Sequence, residues 1–181
     1  MRRRPVVMTL TTILPSLRRS IPDPFVPARW PAHTSLSTTD VIVTDVPMLR
    51  LVARQGTPCV HTAAAVIPGT GGCPSSSEQT SVIVASVVAV AFGEDGHHLT
   101  LDARLSETDA CWSELRLIGR ASTTHSVAFR VENESAIDPA GDEPCVQLPR
   151  DLVAGDLLAV PCRGGVAQAV GSVSGFIQNG E

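Results

Sequence analysis

Residues 81–105 read SVIVASVVAVAFGEDGHHLTLDARL. The first twelve are almost all apolar and rich in valine, whose branched Cβ favours an extended chain. GEDG (93–96) supplies turn residues, and HHLTLDARL (97–105) alternates apolar with polar at a period of two. A long β run, a tight turn and an alternating run make a hairpin. The run is no membrane span. It carries Ser86 and falls short of the roughly 18 clean apolar residues that a transmembrane helix needs, so no membrane partner is expected.

Working outward, the same signals recur. Upstream, VIVT (41–44) reads as a short strand. VPMLRLVARQ (46–55) carries apolar residues at 48, 49, 51 and 52, the spacing of one helix face. Gly56 can end that helix in the left-handed conformation that favours glycine, and PCVHTAAAVI (58–67) resumes a strand. Downstream, ELRLIGRAS (114–122) and HSVAFRVEN (125–133) read as strands, and ESAIDPAGDEPCVQ (134–147) as a polar loop. LPRDLVAGD (148–156) makes a turn, LLAVPC (157–162) a strand and VAQAVGSV (166–173) a last strand.

The fold class is therefore mainly β: a small β-barrel or sandwich of about six to eight strands with one or two short helices. Residues 1–40 form a Pro/Arg-rich arm, because IPDPFVPARWPAH has four prolines in thirteen residues and can be neither helix nor central strand. Phe25 and Trp30 are its expected anchors on the body. Residues 41–67 form a strand–helix–strand unit, 68–79 (PGTGGCPSSSEQ) a linker, 80–173 the main barrel and 174–181 a tail. The first 22 residues hold five arginines but only neutral partners and read as a loosely packed basic tail. VVMTLTTIL within them is too short and threonine-rich for a signal peptide.

Composition narrows the chemistry. Aromatic residues make up only 3% of the 181 residues, so the core rests on Val, Leu, Ile and Ala. Net charge is −4, which argues against nucleic acid as a partner. All fourteen basic residues are arginine, so no lysine is present to form a Schiff base with an aldehyde cofactor. The five cysteines (59, 73, 111, 145, 162) are odd in number, widely spaced and never arranged as CxxC. That pattern fits neither a zinc site nor a disulfide framework, and reduced thiols in the cytoplasm are the expectation.

Several stretches together carry a resemblance. LPRDLVAGDLLAVPCRGGV (148–166) looks like a proline-acid-leucine turn leading to GDLL and VP, and LTLDARLSE (99–107) like a strand and turn bearing D-G-G-M-S-D. TDVPMLRLVARQGTPCVH (44–61) looks like an entry strand, helix and G-T-P. In this order they resemble the fold-type III pyridoxal-phosphate (PLP) decarboxylases, in particular diaminopimelate decarboxylase, over roughly residues 22–67 and 80–173. The resemblance implies the β-domain of that family with its PLP-binding (β/α)₈ barrel deleted. Such a barrel needs about 250 residues, and the linker stands where it would lie. The family's Schiff-base lysine lies on that barrel. Its cysteine motif C-E-S-G-D is matched by NESAID (133–138), with Asn133 in the cysteine's place, and its cofactor-contacting tyrosine by Val166. The region matching its substrate arginine and tyrosine is TDACWSEL (108–115), which has neither. The resemblance thus implies no PLP and no ancestral decarboxylation.

Few residues are left as candidates for chemistry. Asp102 and Arg104 share a strand face by the period-2 rule, as an ion pair or a polar pair at a barrel mouth. Glu134 sits in a loop, where functional side chains concentrate. Cys162 and Arg163 end the GDLLAVPCR phrase at the expected mouth. His97 and His98 point to opposite faces of a strand and cannot chelate one metal; exposure at a hairpin tip is expected of them. Cys59 and His61 share a face, as a core thiol beside a packed histidine or as a nucleophilic pair. Arg120 and His125 flank the polar turn ASTT, in which no constellation is evident.

Two functions follow as expectations. One is a repurposed, cofactor-free pocket protein that holds an apolar small molecule in the barrel, extending to a cyclase or isomerase of secondary metabolism that works by positioning. The other is a pseudoenzyme that serves as an interaction subunit, dimerising with itself or with a full-length decarboxylase. Homodimerisation is expected in either case.

Overall fold

The computed structural model describes residues 9–93, 96–105, 108–132 and 144–166. It is mainly β, with a curled half-barrel sheet and a smaller three-stranded sheet. In chain order the elements are helix α1 (Leu10–Ile13), strands β1 (Thr34–Leu36), β2 (Val41–Val43) and β3 (Val46–Pro47), helix α2 (Met48–Gln55), then β4 (Cys59–Val66), β5 (Pro74–Gly93), β6 (Gly96–Leu101), β7 (Asp109–Ala110), β8 (Arg116–Ile118), β9 (Ser126–Glu132), β10 (Cys145–Pro149) and β11 (Leu157–Arg163). Three single-turn 3-10 helices sit at Pro15–Arg19, Pro27–Arg29 and Trp112–Glu114.

β5 is the spine of the fold, and residues 81–93 of the quoted stretch are its larger part. Its early part pairs antiparallel with both β4 and β11, and its late part pairs with β6. β6 runs parallel to β9, and β9 antiparallel to β10. The apolar run is nearly unbroken because both faces of this strand are covered. Ile83, Ala85 and Val87 point into the curl with Leu99, Phe129 and Leu158. Val82 and Val84, one step out of phase, pack with Trp30, Val41, Val43 and Met48 beneath the small sheet. β11 alternates in the same way, with Leu158, Val160 and Cys162 on one side and Ala159 on the other.

The corner of the curl is a bulge. The β5–β6 register slips between Val87 and Ala89, and an extra residue bends and twists a strand at that point. Asp102 seals the corner: its Oδ1 accepts the Ser86 N–H at 2.7 Å, while its own N–H donates to the Ser86 carbonyl at 3.1 Å. The Gly155–Asp156 turn closes the other side, exchanging two 2.8 Å backbone bonds with Val87. Gly155 has φ +91°, a conformation that a residue with a Cβ adopts only under strain.

Residues 41–66 hold β2, β3, α2 and β4. Val43 to Val46 close a two-residue turn with positive φ at Thr44 and Asp45, as hairpin twist demands. α2 ends at Gly56 (φ +76°), whose N–H donates to the Val52 carbonyl at 2.8 Å.

Three expectations need correction. The linker is shorter than its composition suggests: residues 74–79 already belong to β5, paired with β4 as far as Val66↔Pro74, and the Ile67 N–H donates to the Cys73 carbonyl at 2.9 Å. Residues 145–147 are strand rather than loop, because Val146 alternates inward with Leu148. The basic tail is not loose from residue 9 onward: Arg18 is only 8% exposed, held by the Thr124 carbonyl at 2.9 Å and Ser126 Oγ at 3.0 Å. The expected last strand lies outside the described residues beyond Val166.

Candidate functional site

Trp30 determines where the arm lies. Its indole is fully buried, and its Nε1–H donates to Glu114 Oε2 at 2.9 Å. The same carboxylate accepts the Val26 N–H at 3.2 Å and lies 3.6 Å from Arg29 and 3.5 Å from Arg116. Arg29 also donates to Ser113 Oγ. Arg116 lays its guanidinium over the Trp30 ring, 5.1 Å from the centroid, a geometry favourable for cation–π attraction. Glu114 is thus a buried acid that accepts from three donors and pairs with the Arg29 charge, and it ties residues 26–30 to the turn before β8.

Between this tie and the Arg18 contacts, the arm spans a cleft of about 680 Å³. One wall is the arm itself, with Thr9, Thr12, Arg18, Asp23 and Pro24. The floor and far wall come from β8 and the segment after it, including Arg116, Arg120, Ser122 and His125. Ser37, Thr38, Asp40 and Gln147–Pro149 of β10 complete the lining. The lining mixes hydroxyls, guanidinium groups and carboxylates with the apolar side chains of Val41, Leu115, Leu117, Ile118 and Leu148. Burial raises the Asp40 carboxyl above its usual range, although the N–H groups of Leu49, Val41 and Met48 oppose the shift.

The cleft stands on a second network. Arg120 grips Asp156 with Nε and Nη2, both at 2.7 Å, and Asp151 Oδ2 with Nη1 at 3.1 Å. Asp151 Oδ1 accepts Ser122 Oγ at 2.6 Å and Thr124 Oγ1 at 3.0 Å. Burial pushes the Asp151 carboxyl up, but the bonds from Ser122, Thr124 and Arg120 outweigh it and hold the group below its ordinary value. Arg120, bonded to Asp156, is held more firmly protonated than a free guanidinium. This two-pronged clamp fastens the segment after β8 to the β10–β11 turn.

The structure scatters the residues expected to carry chemistry. Asp102 is spent on the β5 corner, and Arg104 is exposed just past the end of β6, so the strand they were to share stops at Leu101. Cys162 is not at a rim but fully buried in the core, where burial above all, opposed by the Thr108 hydroxyl and aided by Asp109 and Cys111, pushes its thiol up to about 11. Arg163 is exposed at the end of β11, opposite Asp109 and Thr80. Glu134 lies outside the described residues. Cys59 is also buried, its thiol pushed up to about 11 by burial and by Asp102, while His61 reaches Thr44 at 3.3 Å instead. His97 and His98 are half-buried, not exposed at a tip: His97 packs 5.6 Å from the Phe129 ring, and His98 sits 3.1 Å from Glu132. The curl that was expected to hold an apolar ligand is filled by its own Leu, Val and Phe side chains.

Sequence reading missed Glu114, Arg120, Asp151 and Asp156 as a set. They are separated by up to 42 positions, and only sheet pairing brings them together. The residues present do not fit PLP, since the chain has no lysine to hold it. Among the described residues, no group of three or more His, Cys, Asp or Glu side chains could hold a metal ion. The chain matches no protein-family model and no curated protein.

Proposed function

We propose that this chain is a cofactor-independent binding module, built on a β-domain related to the fold-type III decarboxylases, that takes a small polar molecule in the cleft beneath its arm. The cleft carries this reading: about 680 Å³ lies within the ~300–1,000 Å³ of small-molecule sites, and its lining sets hydroxyl, guanidinium and carboxylate groups among apolar side chains. The order of strand, helix, Gly56-Thr57-Pro58 and strand, followed by the GDLLAVP strand, supports the ancestry. Any turnover would come from positioning in the cleft, since both buried thiols are held protonated. Five free cysteines suit a reducing cytoplasm.

A fragment library screened by amide chemical-shift mapping tests the reading. Hits should converge on residues 115–126 and 147–148; hits confined to other surfaces would refute it. A second reading, self-association, rests on Val88, Phe92 and Val153, which are 52%, 52% and 58% exposed. Light scattering that gives one chain mass at high concentration would exclude it.

A further inference from the structure

Arg116 is the least settled polar group in the cleft. Its Nε is buried and has no hydrogen-bond partner, and buried guanidinium N–H groups in folded proteins are ordinarily paired. Its other nitrogens are served poorly. Nη1 reaches the Asp23 carbonyl at 3.3 Å, and Nη2 reaches the Pro24 carbonyl at 3.4 Å and Glu114 at 3.5 Å. Good charge-assisted bonds from a guanidinium run about 2.7–2.9 Å, and Arg120 makes two of 2.7 Å to Asp156 a few residues away. Two of these long bonds go to consecutive carbonyls of the arm. Their oxygens sit on the guanidinium edge that a carboxylate would take with both of its oxygens.

We infer that Arg116 is the anchor for a carboxylate group of the ligand, and that the Asp23 and Pro24 carbonyls occupy that place until the ligand displaces them. This rests on the cleft being the binding site. Trp30 beneath Arg116 fixes the plane of the fork, and Glu114 holds it from behind. Hydroxyls of Ser113 and Ser126 lie in the same cleft to meet the remainder of the molecule. Binding exchanges two long bonds for two short ones and lifts the arm between Arg18 and Trp30, so the ligand class and the movement are one event.

The test uses glutarate and its neutral diamide, glutaramide, at physiological salt on the full chain. Glutarate should move the amides of Asp23 and Leu115–Ile118 saturably, and glutaramide should bind at least tenfold more weakly. Arg116→Gln should weaken glutarate at least tenfold. Arg116→Lys, which keeps the charge but not the fork, should fall between. Arg163→Gln, outside the cleft, should bind as the parent does. Near-UV circular dichroism reports whether each variant keeps its buried tryptophan. Should Arg116→Gln not fold, dicarbonyl labelling of the parent decides: glutarate protects Arg116 if it is the anchor. Equal binding of glutarate and glutaramide, or labelling of Arg116 unaffected by saturating glutarate, overturns the inference. If neutral fragments occupy the cleft and glutarate does not, this inference falls while the binding reading stands. If nothing enters the cleft, both fall.

Discussion

Asp102 shows how one side chain can be legible by type and misread by role. Period-2 alternation put it on a strand face, and it does follow β6 directly. The strand ends one residue earlier, however, because the bulge in β5 leaves the Ser86 N–H without a ladder partner. A carboxylate is what such an orphan donor needs. Asp102→Ala should therefore destabilise the fold by about 2 kcal/mol, as loss of a hydrogen bond to a charged group does, seen as a lower denaturant midpoint. Asp102→Asn, which keeps an acceptor, should recover part of the loss. The thiols divide by burial, which residue spacing does not report. At pH 8 a thiol with pKa about 11 is ionised in roughly one molecule per thousand. Maleimide at pH 8 should modify exposed Cys73 and Cys145 within minutes and leave Cys59 and Cys162 untouched until the chain is denatured. Mass spectrometry of the labelled peptides reads this directly.

At the scale of elements, β4, β6, β9, β11, the apolar half of β5 and α2 were visible because each writes its own periodicity and its own stop, whereas 74–79 and 145–147 carry linker and loop composition within strands. The arm was half visible. Its prolines excluded helix and central strand, and Phe25 and Trp30 stood out as apolar anchors, but nothing local announced Glu114 as the acceptor for the indole. ELRLIGRAS reads as a strand, and only the fold shows its Glu buried. Trp30→Ala should cost about 3–5 kcal/mol for the cavity. Glu114→Gln should cost about 3 kcal/mol, because it strands the buried Arg116 charge. Both can be measured by thermal melts. The Arg120 clamp predicts the acid side of the stability profile. Asp151 is held below its ordinary value, so its contribution is full above the unfolded carboxyl range and is lost as pH falls through the folded value, below about pH 4. Asp151→Asn should be less stable than the parent at pH 7 and should lose less on acidification. A parallel acid limb in the two proteins would contradict this assignment.

For the whole molecule, the arrangement puts its rigidity and its openness in different places. The curl is packed solid and braced at its corner, while the cleft is walled by an arm attached mainly at Arg18 and Trp30. The mainly β class was legible because β5 and β11 announce two-sided burial in their apolar runs. The cleft was not, since its walls come from four separate stretches of chain. One further property follows from the β4–β5 hairpin. Its two strands part company only beyond Ile67 and Cys73, whose backbones are bonded to each other, and residues 67–73 add nothing to either core cluster. The hairpin end is therefore a port: any folded unit whose own ends lie close together can be spliced between Gly71 and Gly72 without the sheet registering it. Lengthening such a loop is cheap, ~0.6 kcal/mol per doubling. A small reporter domain inserted there should leave the melting temperature within a few degrees.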